Sequence, residues 1–298
     1  MISSTEWLLT IGGLAAVIVF DLALAIAHRN KETSTKEALT WTLFYVAAAI
    51  TFGLLMPRWT SDQLRTEFFA GWLTEYALSV DNIFVFIILI ATLKVKKESQ
   101  QLVLLFGILI AIVLRIILIF AGVALVTRFT SAFYVFGAFL IFTAWKLINE
   151  EEEVREDEGK LIAFLRRRGL STFAIALIAL GVTDLVFALD SIPAILGLTT
   201  STYVVITANI FALMGLRQLY FLLQGAMDRL VHLARGLSFI LAFIGVKMIL
   251  HALHENGVNT PDISLQVSLT VIVVTLAMTT LTSLYATKPK KRMDKLEP

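Results

Sequence analysis

The chain has 298 residues, 58% of them hydrophobic and only 16% charged, with a mean hydropathy of +0.82 and no cysteine. A soluble domain carries about 25% charged residues, so an ordinary soluble fold is excluded, and the missing cysteines exclude disulfides, thiolate metal sites and a Cys nucleophile. The net charge of +2 decides nothing, because placement matters more than the sum in a membrane protein.

Roughly 20 apolar residues cross a hydrocarbon core as a helix. Runs of that length predict nine spans, at 7–27, 39–56, 68–93, 101–126, 132–148, 171–196, 202–223, 235–253 and 265–286. The expected fold is an all-α membrane protein of about nine transmembrane helices, one polytopic domain over residues 1–298, multi-pass in the cell membrane with the lipid bilayer as its solvent. The opening MISSTEW lacks the basic stretch and cleavage site of a secretory signal.

Span one holds Asp21 near its inner end, in IVFDLALAIAHR, read either as an interfacial partner of Arg29 or as a ligand at a cytosolic vestibule. Span three carries TEYALSVDNIF, with Glu75, Ser79, Asp81 and Asn82. Span four reaches Arg115 through GILIAIVLR, and span five reaches Lys146 through FTAWKLI. The one long connection, 149–170, puts seven acids into the nine residues 150–158 before Arg166, Arg167 and Arg168. It reads as a solvated, self-repelling linker, with a cation trap as the sharper alternative. Span six carries TDLVFALDSIPAIL, with Asp184, Asp190 and Ser191; span seven carries NIFALMGLR, with Asn209 and Arg217. Span eight carries FIGVKMI, with Lys247, then His251 and His254, read as surface residues. The segment 287–298 is a basic tail.

Of the 25 basic residues, 18 fall on one side of this nine-span scheme: Arg29, Lys31, Lys36, Lys94, Lys96, Lys97, Arg155, Lys160, Arg166, Arg167, Arg168, Arg229, Arg235, Lys288, Lys290, Lys291, Arg292 and Lys295. Only Arg58, Arg65 and Arg128 fall on the other, so the positive-inside rule predicts N-out and C-in.

Glu75 aligns with Asp184, Asp81 with Asp190, and Asn82 with Ser191; Arg115 then aligns with Arg217 and Lys146 with Lys247. Three charged landmarks in the same order predict an internal repeat, residues 68–148 and 171–253, that is, spans 3–5 and 6–8. An offset of three spans makes the repeat inverted, a common transporter design with polar sites near the midplane. Depth then predicts two tiers, Glu75 with Asp190 and Asp81 with Asp184. Residues six apart lie about 120° apart round a helix, so both acids of a pair reach one cavity only if it wraps the helix or the helix is interrupted. Pro193 removes the donor from the Leu189 carbonyl and points to a break there.

A lone charge near the bilayer centre costs roughly 3 kcal/mol, and four unpaired carboxylates on the order of 10 kcal/mol. The acids must therefore meet cations. In one reading Arg115, Arg217, Lys146 and Lys247 neutralise them and lock the bundle. In the other, Glu75, Asp81, Asn82, Asp184, Asp190 and Ser191 form an oxygen-rich site of the kind that suits Mg²⁺, Ca²⁺ or Mn²⁺, with Asp21, Ser79 and Asn209 as secondary candidates.

The stretches EYALSVDNIF, TDLVFALDSIPA and NIFALMGLRQLYF resemble the paired signatures of the TerC family of integral membrane proteins, which includes Alx-type transporters of the LysE-like superfamily. The resemblance covers nearly the whole chain and implies export of Mn²⁺, with ion binding at Glu75, Asp81, Asn82, Asp184, Asp190 and Ser191. Many relatives carry a further glutamate three residues before the first aspartate of the second motif; here that position is Gly181, which bears on metal identity. The expected function is a secondary transporter exporting Mn²⁺ or a similar hard divalent cation by alternating access with proton exchange. It is expected to be no enzyme and to need no cofactor. No G-x-x-x-x-G-K-[ST] motif is present to support ATP-driven pumping. Alternatives are a membrane-protein assembly factor and a tellurium or envelope-stress factor acting indirectly. Spans one, two and nine brace the bundle or mediate a homo-oligomer, and no nucleic-acid partner is expected.

Overall fold

The computed structural model describes residues 2–27, 34–149, 156–224, 232–261 and 263–287, without the side chains of 24, 25, 27, 81, 84, 97, 98, 149 and 156–161. The described residues are helical, with no strand: α1 (Ser4–Ala27), α2 (Thr35–Leu55), α3 (Asp62–Thr92), α4 (Lys97–Arg128), α5 (Ser131–Asn149), α6 (Glu156–Arg167), α7 (Thr172–Leu196), α8 (Thr202–Leu213), α9 (Leu216–Leu223), α10 (Leu233–Glu255) and α11 (Leu265–Ala286). Among them, eight single helices are long and apolar enough to cross a bilayer, and α8 with α9 is a bent pair of the kind that forms a broken span or a re-entrant loop. The all-α membrane fold expected from the sequence is the fold observed. Ser34, Ser61, Ser171 and Ser264 each cap a spanning helix by accepting the N–H three residues on, which satisfies a donor that the first helical turn leaves without a partner. Ser61 starts α3 six residues before the expected span.

Two local expectations are corrected. Span six is continuous: Pro193 sits in the last turn of α7, where the loss of one hydrogen bond does not end the helix. The break lies instead in span seven, where α8 and α9 meet at 41° across Met214 and Gly215. Gly215 packs there against α2, and a Cβ would lie 3.4 Å from that of Tyr45. The second half of the charged linker is no loose coil but helix α6, whose Leu165 is buried in the bundle. Its acidic first half, 150–155, lies outside the described residues, as do Arg29, Lys31, Arg229 and the basic tail.

Three helix pairings dominate: α5 with α10, α4 with α7, and α3 with α8. Swapping the triplet α3, α4, α5 for α7, α8–α9, α10 maps this set onto itself, as a two-fold relation between the halves would. The α5–α10 seam repeats the pattern residue by residue. A Cβ on Gly137 would meet the Gly245 carbonyl at 2.7 Å, and one on Gly245 would meet the Gly137 carbonyl at 2.7 Å. Ser238 Oγ donates to the Ala144 carbonyl at 2.6 Å. In the register that aligns Lys146 with Lys247, Gly137 matches Ser238 and Ala144 matches Gly245, so each contact is the image of the other.

Two apolar clusters fill the bundle end to end. Along α4 they change over between Ile112 and Ile119, along α7 between Leu180 and Ala188, and along α3 between Leu78 and Ile83. Arg115, Asp184 and Asp81 fall in these gaps. The polar residues thus occupy a layer between two cores.

Gly245→Ala places a methyl group where two backbones touch. It should cost roughly 1–3 kcal/mol, as overpacking of a tight core does, and appear as a lower melting temperature in detergent. Gly12→Ala, whose Cβ meets nothing within 4 Å, should melt like the parent chain.

Candidate functional site

Arg115 on α4 is 1% exposed and stands among side chains from three other helices. Its Nε and Nη2 donate side-on to both oxygens of Asp184, at 3.0 and 2.9 Å. Its Nη1 pairs with Glu75 Oε1 and donates to Ser191 Oγ and Asn209 Oδ1, each at 3.3 Å. Ser79 Oγ adds a long bond to Glu75 Oε1 at 3.4 Å. Glu75 and Asp184 are 0% and 3% exposed. Bidentate, charge-assisted bonds are the form in which a buried guanidinium offsets its desolvation. Glu75 Oε2 is buried and has no hydrogen-bond partner among the described residues. Two carboxylates on one guanidinium leave the trio with a formal charge of −1.

Helix geometry explains which candidates gather. Asp184 and Ser191 are seven residues apart, about 20° off two full turns, so both meet Arg115. Asp190, rotated by about 120° from Asp184, turns to α5 and accepts from Thr143 Oγ1 at 3.1 Å. The expected tier of Glu75 with Asp190 is therefore replaced by Glu75 with Asp184. By the same spacing Asn82, which is buried, shares the face of Glu75. The side chain of Asp81 lies outside the described ones.

A second, part-buried pair joins α1 to α9. Arg217 Nη2 and Tyr45 Oη both donate to Asp21 Oδ1 at 2.7 Å. Asp21 thus finds a cation 196 residues away, and Arg29 lies outside the described residues. Arg217 Nε, also buried, has no partner among the described residues. A cavity of about 30 Å³ adjoins the trio, lined also by Leu105, Leu213 and Gln218. It has room for one or two waters. Of the other expected charge partners, Lys247 Nζ donates to Ser268 Oγ on α11 at 3.1 Å, and Lys146 is half-buried in the last turn of α5.

At the other end, a cavity of about 860 Å³ opens among the ends of α3, α5, α7, α10 and α11, lined in part by Glu67, Leu198, Thr199, Lys247 and His251. Glu67 is 8% exposed. Its carboxylate accepts from Gln63 Nε2 at 2.9 Å and Thr199 Oγ1 at 2.5 Å. Sequence reasoning missed Glu67 by starting the span at 68. The available signals were the Ser61 cap and the eight-residue spacing to Glu75, which keeps both on nearly one face. Between them Gly71 packs on Ile195 and Ala208, both at 3.5 Å from its Cβ position. Gly181 lines an apolar groove between α4 and α7, its Cβ position 3.3 Å from Ile110. No three His, Asp or Glu side chains among those described stand close enough together to hold a metal.

Residues 60–291 match the model of the integral membrane protein TerC family. The chain is 39% identical to the uncharacterized membrane protein Rv2723 of Mycobacterium tuberculosis (strain H37Rv), over 96% of this chain and 80% of that one. It is also 39% identical to the uncharacterized membrane protein STKORF319 of Myxococcus xanthus, over 86% of each. To the Escherichia coli (strain K12) protein named "Putative membrane-bound redox modulator Alx" it is 36% identical, over 90% and 92%. No solved structure matches the chain.

Arg115→Gln would leave two buried carboxylates facing each other without their cation. The expected loss is roughly 3–5 kcal/mol, as for other broken buried pairs, read in thermal melts. Adding Asp184→Asn should recover part of it; a double variant as unstable as the sum of the singles would show the groups to be uncoupled.

Proposed function

Since the chain belongs to the TerC family of integral membrane proteins, we propose that it is a secondary transporter carrying a hard divalent cation, Mn²⁺ foremost, out of the cytosol by alternating access. The observation that carries this reading is the centre itself. Carboxylates from the two halves of the chain converge in the bundle interior on a single guanidinium, with one negative charge in excess and one carboxylate oxygen left over. An excess of one suits a site that takes up a mobile cation and gives it back.

In this mechanism Arg115 is a tethered cation that holds the emptied site together. The incoming ion takes Glu75 Oε2 and the oxygens of Asn82, Ser191 and Asn209. These are the oxygen donors that Mn²⁺ and its hard relatives accept. Protons replace the ion on the outward side, because carboxylates in a low-dielectric site take up a proton readily once their cation leaves. The N-terminus is outside, which puts the Glu67 cavity on the exit side and the Asp21 pair on the cytosolic side. The exchange-symmetric helix pairing supports an inverted repeat as the moving machinery. A thiol redox role, which the name of the Escherichia coli relative brings to mind, has no thiol to act through here.

Proteoliposomes containing only this chain should move Mn²⁺ when a pH gradient is imposed, and Glu75→Gln should reduce the flux at least about tenfold, the loss expected when a charged ligand is neutralised. An assembly factor or an indirect stress factor would move no ion under the same conditions.

A further inference from the structure

The two halves are matched in their helix pairing and mismatched in one respect. Arg115 and Arg217 occupy equivalent positions, as do Glu75 and Asp184. Arg115 holds both of those carboxylates, while Arg217 holds neither and is tied to Asp21, on a helix outside the repeat. The mismatch leaves a buried carboxylate oxygen, Glu75 Oε2, and a buried guanidinium donor, Arg217 Nε, each without a partner among the described residues. They are complementary groups on helices that pack against each other, α3 and α9. Both ends of the bundle reflect the same inequality, with a cavity of about 860 Å³ beside Glu67 and one of about 30 Å³ beside Asp21.

In an inverted-repeat transporter, the opposite-facing state is reached when each half takes up the arrangement of the other. Applied here, exchange gives a state in which Arg217 holds Glu75 and Asp184, and Arg115 has let them go. We propose that Asp21 is a positioning residue that sets this exchange. With Tyr45 it holds Arg217 away from the central carboxylates and so keeps the α1 side closed; its release passes the carboxylates from one arginine to the other and turns the bundle. Helices α1 and α2 then supply the seat in which the second arginine waits. The inference rests on alternating access but not on the identity of the cargo.

The chain has no cysteine, so single cysteines report accessibility without background. Leu198→Cys lines the large cavity and Leu105→Cys the small one. The full-length chain in lipid nanodiscs, free of metal, is labelled with a water-soluble maleimide. Adding Asp21→Asn should raise the labelling rate at Leu105→Cys about tenfold or more and lower that at Leu198→Cys by a similar factor, since one equilibrium governs both. Asp21→Glu should restore the parent pattern. Arg217→Gln on top of Asp21→Asn should abolish the fall at Leu198→Cys. Tyr45→Phe, which removes one of the two donors to Asp21, should shift both rates in the same reciprocal sense by a smaller factor, and it carries the test if Asp21→Asn fails to fold. A rise at Leu105→Cys alone, or no change at either site, makes Asp21 a brace and overturns the inference. Labelling needs no transported ion, so reciprocal rates with no Mn²⁺ flux would remove the cargo reading and leave this one standing.

Discussion

A guanidinium with almost no exposure, in the middle of a bundle whose outside is hydrocarbon, constrains everything around it. An unpaired charge at that depth costs several kcal/mol. Acceptors must therefore be brought to it, and they come from α3, α7 and α8. That requirement fixes which helices surround α4 and at what height, since each must present its polar residue at one level. The two apolar clusters above and below are what remains once this layer is set.

The layer lies where the symmetry of the fold acts. Helices α5 and α10 meet at paired small residues, Gly137 with Gly245 and Ala144 with Ser238, and approach as closely as backbones allow. Such contacts replace the hydrophobic effect as the packing force inside a membrane. They make a stiff pair at one side of the bundle. The polar centre, in contrast, is held by ion pairs and hydrogen bonds from α3, α7 and α8 to Arg115. A rigid seam beside an exchangeable centre is what a two-state bundle needs.

Much of this was legible in the sequence, for identifiable reasons. Hydropathy located the spans because bilayer thickness sets a minimum apolar length, and the charged landmarks pointed to a repeat because charges inside a membrane are costly. The partner of Asp21 was not legible, since the contact with Arg217 spans 196 residues and depends on how α1 docks. The choice between Asp190 and Ser191 at the centre depended on helical phase: residues seven apart share a face, and the paired-acid pattern drew attention to the spacing of six. The broken helix was sought at Pro193 because proline is the visible breaker. In the last turn of a helix proline removes little, whereas Gly215, without a side chain, lets α9 bend against Tyr45. Glu67 was hidden by its place at the edge of an apolar run, where a charge looks like solvent-facing punctuation until a cavity is found beside it.

An arginine at the heart of the proposed cation site looks contradictory, and the resolution lies in the balance of charge. Several carboxylates gathered in low dielectric with no permanent counter-charge would hold a divalent ion too tightly to release it, or would protonate and hold none. In the proposed mechanism one guanidinium cancels one of these charges in each state, so that the ion would meet a site negative enough to admit it and weak enough to let it leave, the balance that any conduction path requires. It also keeps the emptied site from collapsing or flooding, because the carboxylates always have a donor to face. In the proposed exchange the second arginine, aligned with Arg115 in sequence and engaged by Asp21, extends the same logic: with one guanidinium for each face of the membrane, the central carboxylates would keep a counter-charge while the bundle turns.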